Sequence, residues 1–155
     1  MEGDDKAERK VSSMKLELLL TADYASVSLG GKLNVMGIFR EIRAKVVPAR
    51  HPQMYVVVGM VASPAEFGSE HEMKIEILDA DAQNTIVEWS QRFEVPDPRG
   101  KSTSAIVNSI LDVRDAVSPD YGAYAVYVTV DTLTFDQAYP IRVVPPPELT
   151  SSDGG

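Results

Sequence analysis

The chain contains no cysteine. That excludes disulfides, thiolate zinc sites and cysteine nucleophiles, and it fits a reducing compartment. No apolar run approaches the roughly 20 residues of a membrane-spanning helix. Positive charge is scarce: 15 Lys and Arg stand against 23 Asp and Glu, for a net charge of −8. Phosphate binding needs clustered cations, so the balance argues against nucleic acid as a partner and against anionic membrane surfaces. Residues 1–10 are highly charged, and no signal-peptide cleavage pattern follows them. The expected location is the cytoplasm. Aromatics are 7% of the chain and fall mostly at inward positions, which sets aside a carbohydrate module with exposed stacking platforms.

What the chain does have is alternation. At 155 residues it fits one domain. A domain of that size buries roughly 70% of its unfolded surface, enough for a core without staples. The pattern is organised around residues 118–130. Tyr124, Val126, Val128 and Val130 point one way; Ala123, Ala125, Tyr127 and Thr129 point the other. The approach, Asp120-x-Gly122-x-Tyr124, has the spacing of the tyrosine corner of immunoglobulin-type sandwiches. A tyrosine there buries its ring and sends its hydroxyl back to a loop backbone group.

The other segments follow the same period. Strands are predicted over 14–27, 32–43, 54–61, 71–78, 85–95 and 135–144, with 104–113 read as a strand in preference to a helix. In the first, Leu16, Leu18, Leu20, Ala22 and Tyr24 share a face. Gly37 suggests a bulge or a close backbone approach in the second. Residues 47–52 read as a connection, because Pro48 and Pro52 oppose regular pairing. The third strand is apolar on both faces, as in a strand covered on both sides. Trp89 reads as a core tryptophan. The expected fold is all-β: an immunoglobulin-like β-sandwich of about eight antiparallel strands over 14–144, with disordered tails at 1–13 and 145–155.

Chemical motifs are thin. Gly100-Lys101-Ser102 resembles the end of a phosphate loop, but Val95 stands where that loop needs glycine, and Pro96 and Pro98 lack N–H donors. Asp79, Asp81 and Asn84 resemble the start of a calcium loop without its glycine or its distal glutamate. Asp and Asn also favour tight turns by bonding nearby backbone. His71 lies between Glu70 and Glu72, but neighbours on a strand point to opposite faces. Neither His71 nor His51 has the sequence spacing of a hydrolase or zinc motif.

Asp23-Tyr24-Ala25-Ser26-Val27, Gly31-Lys32-Leu33-Asn34-Val35-Met36-Gly37-Ile38-Phe39 and His51-Pro52-Gln53-Met54 occur in that order. Gly122-Ala123-Tyr124 and Pro140-Ile141-Arg142-Val143-Val144 follow. Together they resemble a family of small bacterial proteins known only as a domain of unknown function. The resemblance runs from Lys15 to Val144 and implies a bacterial origin and a β-sandwich, with no assigned site.

The functional expectation is a non-catalytic intracellular interaction or structural module without a cofactor. Its partner would be another protein or a second copy, engaged near Arg50, His51 and Gln53 or through the Asp79 to Asn84 loop. The alternative is a calcium- or metal-dependent module using Asp79, Asp81 and Asn84. Self-association finds support in Leu19, Leu29 and Leu78, which fall on otherwise polar faces or in a turn.

Overall fold

The computed structural model describes residues 14–100 and 103–147. Their ten strands are β1 (Lys15–Val27), β2 (Leu33–Phe39), β3 (Glu41–Arg43), β4 (Ala49–Ala62), β5 (Glu70–Asp79), β6 (Thr85–Glu94), β7 (Ala105–Ser118), β8 (Gly122–Val130), β9 (Leu133–Thr134) and β10 (Tyr139–Val144). A 3₁₀ turn, Pro64–Glu66, precedes β5. Among the described residues no helix is long and apolar enough to cross a membrane. The tail expected at 1–13, residues 148–155 of the tail expected at 145–155, and Lys101 and Ser102 of the phosphate-loop resemblance lie outside the described residues.

The strands form two sheets. Sheet A has the order β2-β1-β4-β7; sheet B has the order β3-β10-β8-β5-β6, with β9 paired to β8. Both contribute to one core: Met54, Val56, Val58 and Met60 from β4, Met73, Ile75 and Ile77 from β5, and Val126 and Val128 from β8 are all essentially inaccessible. Strict alternation in β5 and β8 explains this, since every second apolar side chain points between the layers.

The expectation of about eight strands, all antiparallel, is corrected. Residues 32–43 are not one strand. They split at Arg40, so that β2 belongs to sheet A and β3 to sheet B. Gly37 in β2 has φ +72°, and the Asp23 carboxylate presses into the space a Cβ would occupy. Beyond that kink the Arg142 N–H donates to the Arg40 carbonyl oxygen at 2.8 Å, catching the chain as it changes layer. The strand direction is set by the crossing and not by a hairpin, so β3 runs parallel to β10. At the other end of the chain β10 begins at Tyr139, because Leu133–Thr134 first folds back on β8.

The expected connection at 47–52 is also corrected: β4 begins at Ala49 and pairs with β7 from its first residue. His51 pairs with Ala116 and Gln53 with Arg114, which leaves Pro52 opposite Asp115 at a step without a ladder pair. The missing proline N–H is harmless there. Asp115 has φ +59° at the same level. Both strands change face at this step. Ala49 and His51 turn inward, Pro52 and Gln53 both turn outward, and Met54 turns inward again; β7 mirrors this with Arg114 and Asp115.

A second irregularity, between Leu16 and Leu18, places Leu16 beside Met60 but Leu18 beside Gly59. Leu16 therefore does not share a face with Leu18, Leu20, Ala22 and Tyr24, as alternation alone predicts. Leu19 turns inward beside Val58. Trp89 is half-buried and not a full core residue, because β6 ends its sheet and has a ladder neighbour on one side only.

Candidate functional site

The outer faces of the two sheets differ in chemistry. On sheet B, Glu72, Lys74 and Glu76 of β5 stand opposite Arg92, Ser90 and Glu88 of β6. That is the polar outside expected of an antiparallel sheet solvated on one face. The outer face of sheet A is apolar. Leu18, Leu20, Ala22 and Tyr24 of β1 lie beside Gly59, Val57 and Tyr55 of β4, and Ile106 and Ile110 of β7 continue the rows. Met36 and Ile38 of β2 complete the opposite side.

Two features create this face. The bulge after Leu16 turns Leu18 and Leu20 outward, and β4 carries apolar residues at both parities. In the middle the face is closed to solvent: Val57 and Ala22 are 0% exposed although they point away from the core. At the margins they do not. Tyr24 is 49% exposed, Met36 66%, Ile38 60% and Ile106 64%. The Tyr24 and Tyr55 rings meet edge to face at 5.5 Å, which holds them as a rigid aromatic pair on the surface. Gly59 lets the outer face close up: a Cβ there would meet Leu18 Cβ at 3.1 Å and Asn108 Oδ1 at 3.2 Å.

One end of the face is polar. The Gln53 side-chain amide donates to Tyr55 Oη and to Asp112 Oδ1, both at 3.0 Å. Arg114 pairs with Asp112 at 3.2 Å and Arg50 with Asp115 at 2.8 Å. The hydrogen bonds from Gln53 and Arg114 hold the Asp112 carboxyl below the usual carboxylate range. Of the expected partner-binding residues, Arg50 and Gln53 thus stand together on this rim. His51 does not, and its placement is corrected. It turns inward toward Met54 and Tyr124, its ring 5.9 Å from that of Phe39, and its buried Nε2 has no hydrogen-bond partner among the described residues. Leu29 is fully exposed in the β1–β2 turn, and Leu78 is half-buried on sheet B.

A second cluster forms where the 3₁₀ turn meets β5 and the end of β8. Ser69 Oγ lies 2.7 Å from His71 Nε2, and His71 Nδ1 lies 2.8 Å from Asp131 Oδ2. The order serine–histidine–aspartate matches that of a nucleophilic triad. The fourth member, Glu66, changes its chemistry. Ser69 donates to the Glu66 carbonyl oxygen at 2.5 Å, and Glu66 Oε1 lies 3.1 Å from both Ser69 Oγ and His71 Nε2. A carboxylate at that point opposes both an attacking alkoxide and the oxyanion it would create.

The cluster ties chain segments together. Asp131 also accepts the Glu72 N–H at 3.0 Å. Burial pushes the Asp131 carboxyl up, but the His71 hydrogen bond, the Glu72 N–H and nearby positive charge outweigh it and hold the carboxyl below its usual range. The two carboxylates lie on opposite sides of the imidazole, so no three ligands converge. Among the described residues no group of His, Asp and Glu is placed to hold a metal ion.

The Asp79 to Asn84 segment is a tight turn. Asp79 accepts the Gln83 N–H at 2.8 Å, the Asn84 N–H at 3.2 Å and the Asn84 side-chain amide at 2.7 Å. The Asn84 side chain, ahead of the backbone donors, holds the Asp79 carboxyl below its usual range. Asp81 is exposed at the tip. At the other corner Tyr124 is buried and its hydroxyl donates to the Asp120 carbonyl oxygen at 2.7 Å. Gly122, between them, has φ +133°.

Alternation points to the exposed members of the sheet A face only in part. Residues 54–61 are visibly apolar at both parities, and Met36 and Ile38 share a parity in β2. Which face of β1 joins them depends on the bulge. No curated protein matches the chain. A family model covers residues 17–144, nearly the whole two-sheet body, and the chain belongs to that family, DUF6941, a family of unknown function.

Proposed function

We propose that this chain is a non-catalytic protein-interaction module that binds through the outer face of sheet A. One observation carries the reading: Tyr24, Met36, Ile38 and Ile106 stand 49–66% exposed on the outer face of sheet A, while the outer face of the other sheet is charged. Exposed apolar patches rimmed by polar groups mark interaction sites. Arg50, Gln53 and Arg114 supply the rim. The Glu66 carboxylate in contact with Ser69 and His71 supports a structural role for that cluster, and no cofactor enters the reading. The Tyr124-to-Asp120 hydrogen bond supports an immunoglobulin-like type for the sandwich. The absence of cysteine and the family resemblance support a bacterial, cytoplasmic setting, and the acidic charge supports a protein partner over nucleic acid or membrane.

The test is site-specific photocrosslinking in the native cell. A benzophenone side chain replaces Met36 in one variant and Glu88, on the outer face of sheet B, in another. Protein adducts at position 36 and none at position 88 are expected. Adducts at 88 alone, or at neither position, would overturn the reading.

A further inference from the structure

We infer that the occupant of the sheet A face is a second copy of this chain, stacked face to face about a two-fold axis. The inference rests on the reading of this face as the binding surface and names its partner. The remaining segments of the sequence are poor candidates for covering it. Residues 1–13 and 148–155 supply Met1, Val11 and Leu149 as their large apolar side chains, amid acids, serines and glycines. A surface spanning four strands needs more apolar area than that.

Charge favours a like partner. The whole chain carries −8, yet the outer face of sheet A holds Lys15, Arg50 and Arg114 against Asp112 and Asp115, a net of +1. Glu17, at the bulge, brings the sum to zero at most. Arg50–Asp115 and Arg114–Asp112 neutralise one another within each copy. A facing copy therefore meets almost no net charge, whereas approach through the outer face of sheet B would set Glu72, Glu76 and Glu88 of the two copies against one another. A strongly basic partner would meet aspartates already paired with arginine, and an anionic lipid surface would be repelled by the rest of the molecule.

Shape and area agree. An isologous interface needs protrusion and depression on the same patch. Met36, Ile38 and Tyr24 protrude at one margin and Ile106 at the other, while Ala22 and Val57 between them are fully covered. Strand spacing of about 4.8 Å and a rise of about 3.4 Å per residue make the face roughly 19 Å by 27 Å, or about 500 Å² per copy in projection. Two copies would bury about 1,000 Å², the lower bound for a specific interface. The expected dimer is accordingly weak, with a Kd on the order of micromolar.

Sedimentation velocity on the full chain tests this from about 1 to 200 µM. The wild type is expected to move from 16.9 kDa toward twice that mass. Ile38→Lys and Ile106→Lys change side chains that are already 60% and 64% exposed and should keep the near-ultraviolet signature of the folded chain. Each should weaken the dimer about ten-fold or more, with Ile106→Ser as a milder second variant and Glu88→Lys unchanged as the control. A wild type that stays monomeric throughout, or outer-face variants that dimerise as it does, would overturn the inference. A monomeric wild type with adducts to a different protein at position 36 would remove the second copy but keep the face as the binding surface. No adduct at position 36 would remove both.

Discussion

His51 shows how one residue's environment decides its chemistry. Its ring lies between the sheets beside a cavity of about 10 Å³ lined by Ile42, Met54 and Ala116 among others. Burial pushes its pKa below the ordinary imidazole value; the Asp23 charge and a hydrogen bond with the Gln53 backbone pull the other way and are outweighed. The unfolded chain titrates near pH 6.5. Below that pH the unfolded state takes up a proton that the folded state resists. Stability present above about pH 6.5 is therefore lost as the pH falls toward the lower folded value. His51→Leu cannot titrate and should flatten this loss between about pH 6.5 and 5, as read from urea unfolding at several pH values. Parallel pH profiles for the two proteins would contradict the account. Sequence reading places His51 with Arg50 and Gln53 on the surface, and the change of face at Pro52 is what separates them. Tyr124 is more legible because its hydroxyl reaches Asp120, four residues away. His71 is less so, because its Asp131 contact spans 60 residues.

At the scale of the element, alternation is a sound guide wherever a strand is regular and misleading wherever it is not. Met73, Ile75 and Ile77 in β5 point inward as their spacing requires. In β1, β4 and β7 a single irregular step reverses the facing of everything beyond it. The crossing from β2 to β3 is invisible to periodicity for a similar reason, since both halves keep an extended pattern while changing sheet. Gly37 was the available signal. Its φ of +72° and the nearby Asp23 carboxylate make it the hinge of that crossing. Gly37→Ala adds a methyl group in a conformation L-residues resist and forces Asp23 aside. It should cost about 1–3 kcal/mol in urea unfolding at neutral pH. Gly30→Ala, where no atom of the described residues lies within 4 Å of the added carbon, should stay within about 0.5 kcal/mol. Equal effects at the two positions would mean that the kink does not depend on glycine.

For the molecule as a whole, the division of labour between the two sheets matters more than any single contact. Both sheets feed one core, but the exterior of sheet B is charged along its strands whereas that of sheet A is apolar up to its paired rim. Composition cannot reveal this, because −8 is a property of the total and the outer face of sheet A is nearly neutral. The same asymmetry fixes how association should respond to salt. A dimer held by ion pairs weakens as salt is added, since screening removes the attraction. A dimer held by apolar contact between two bodies of charge −8 should strengthen, because screening removes their mutual repulsion while burial is untouched. Raising the ionic strength from about 20 to 200 mM shortens the screening length from roughly 20 Å to 7 Å and should tighten Kd on the order of ten-fold. Sedimentation velocity across that range reads the change directly. Tightening would mean that Tyr24, Met36, Ile38 and Ile106 carry the contact. Loosening would transfer it to Arg50, Arg114 and their aspartates, with the apolar face left to another partner.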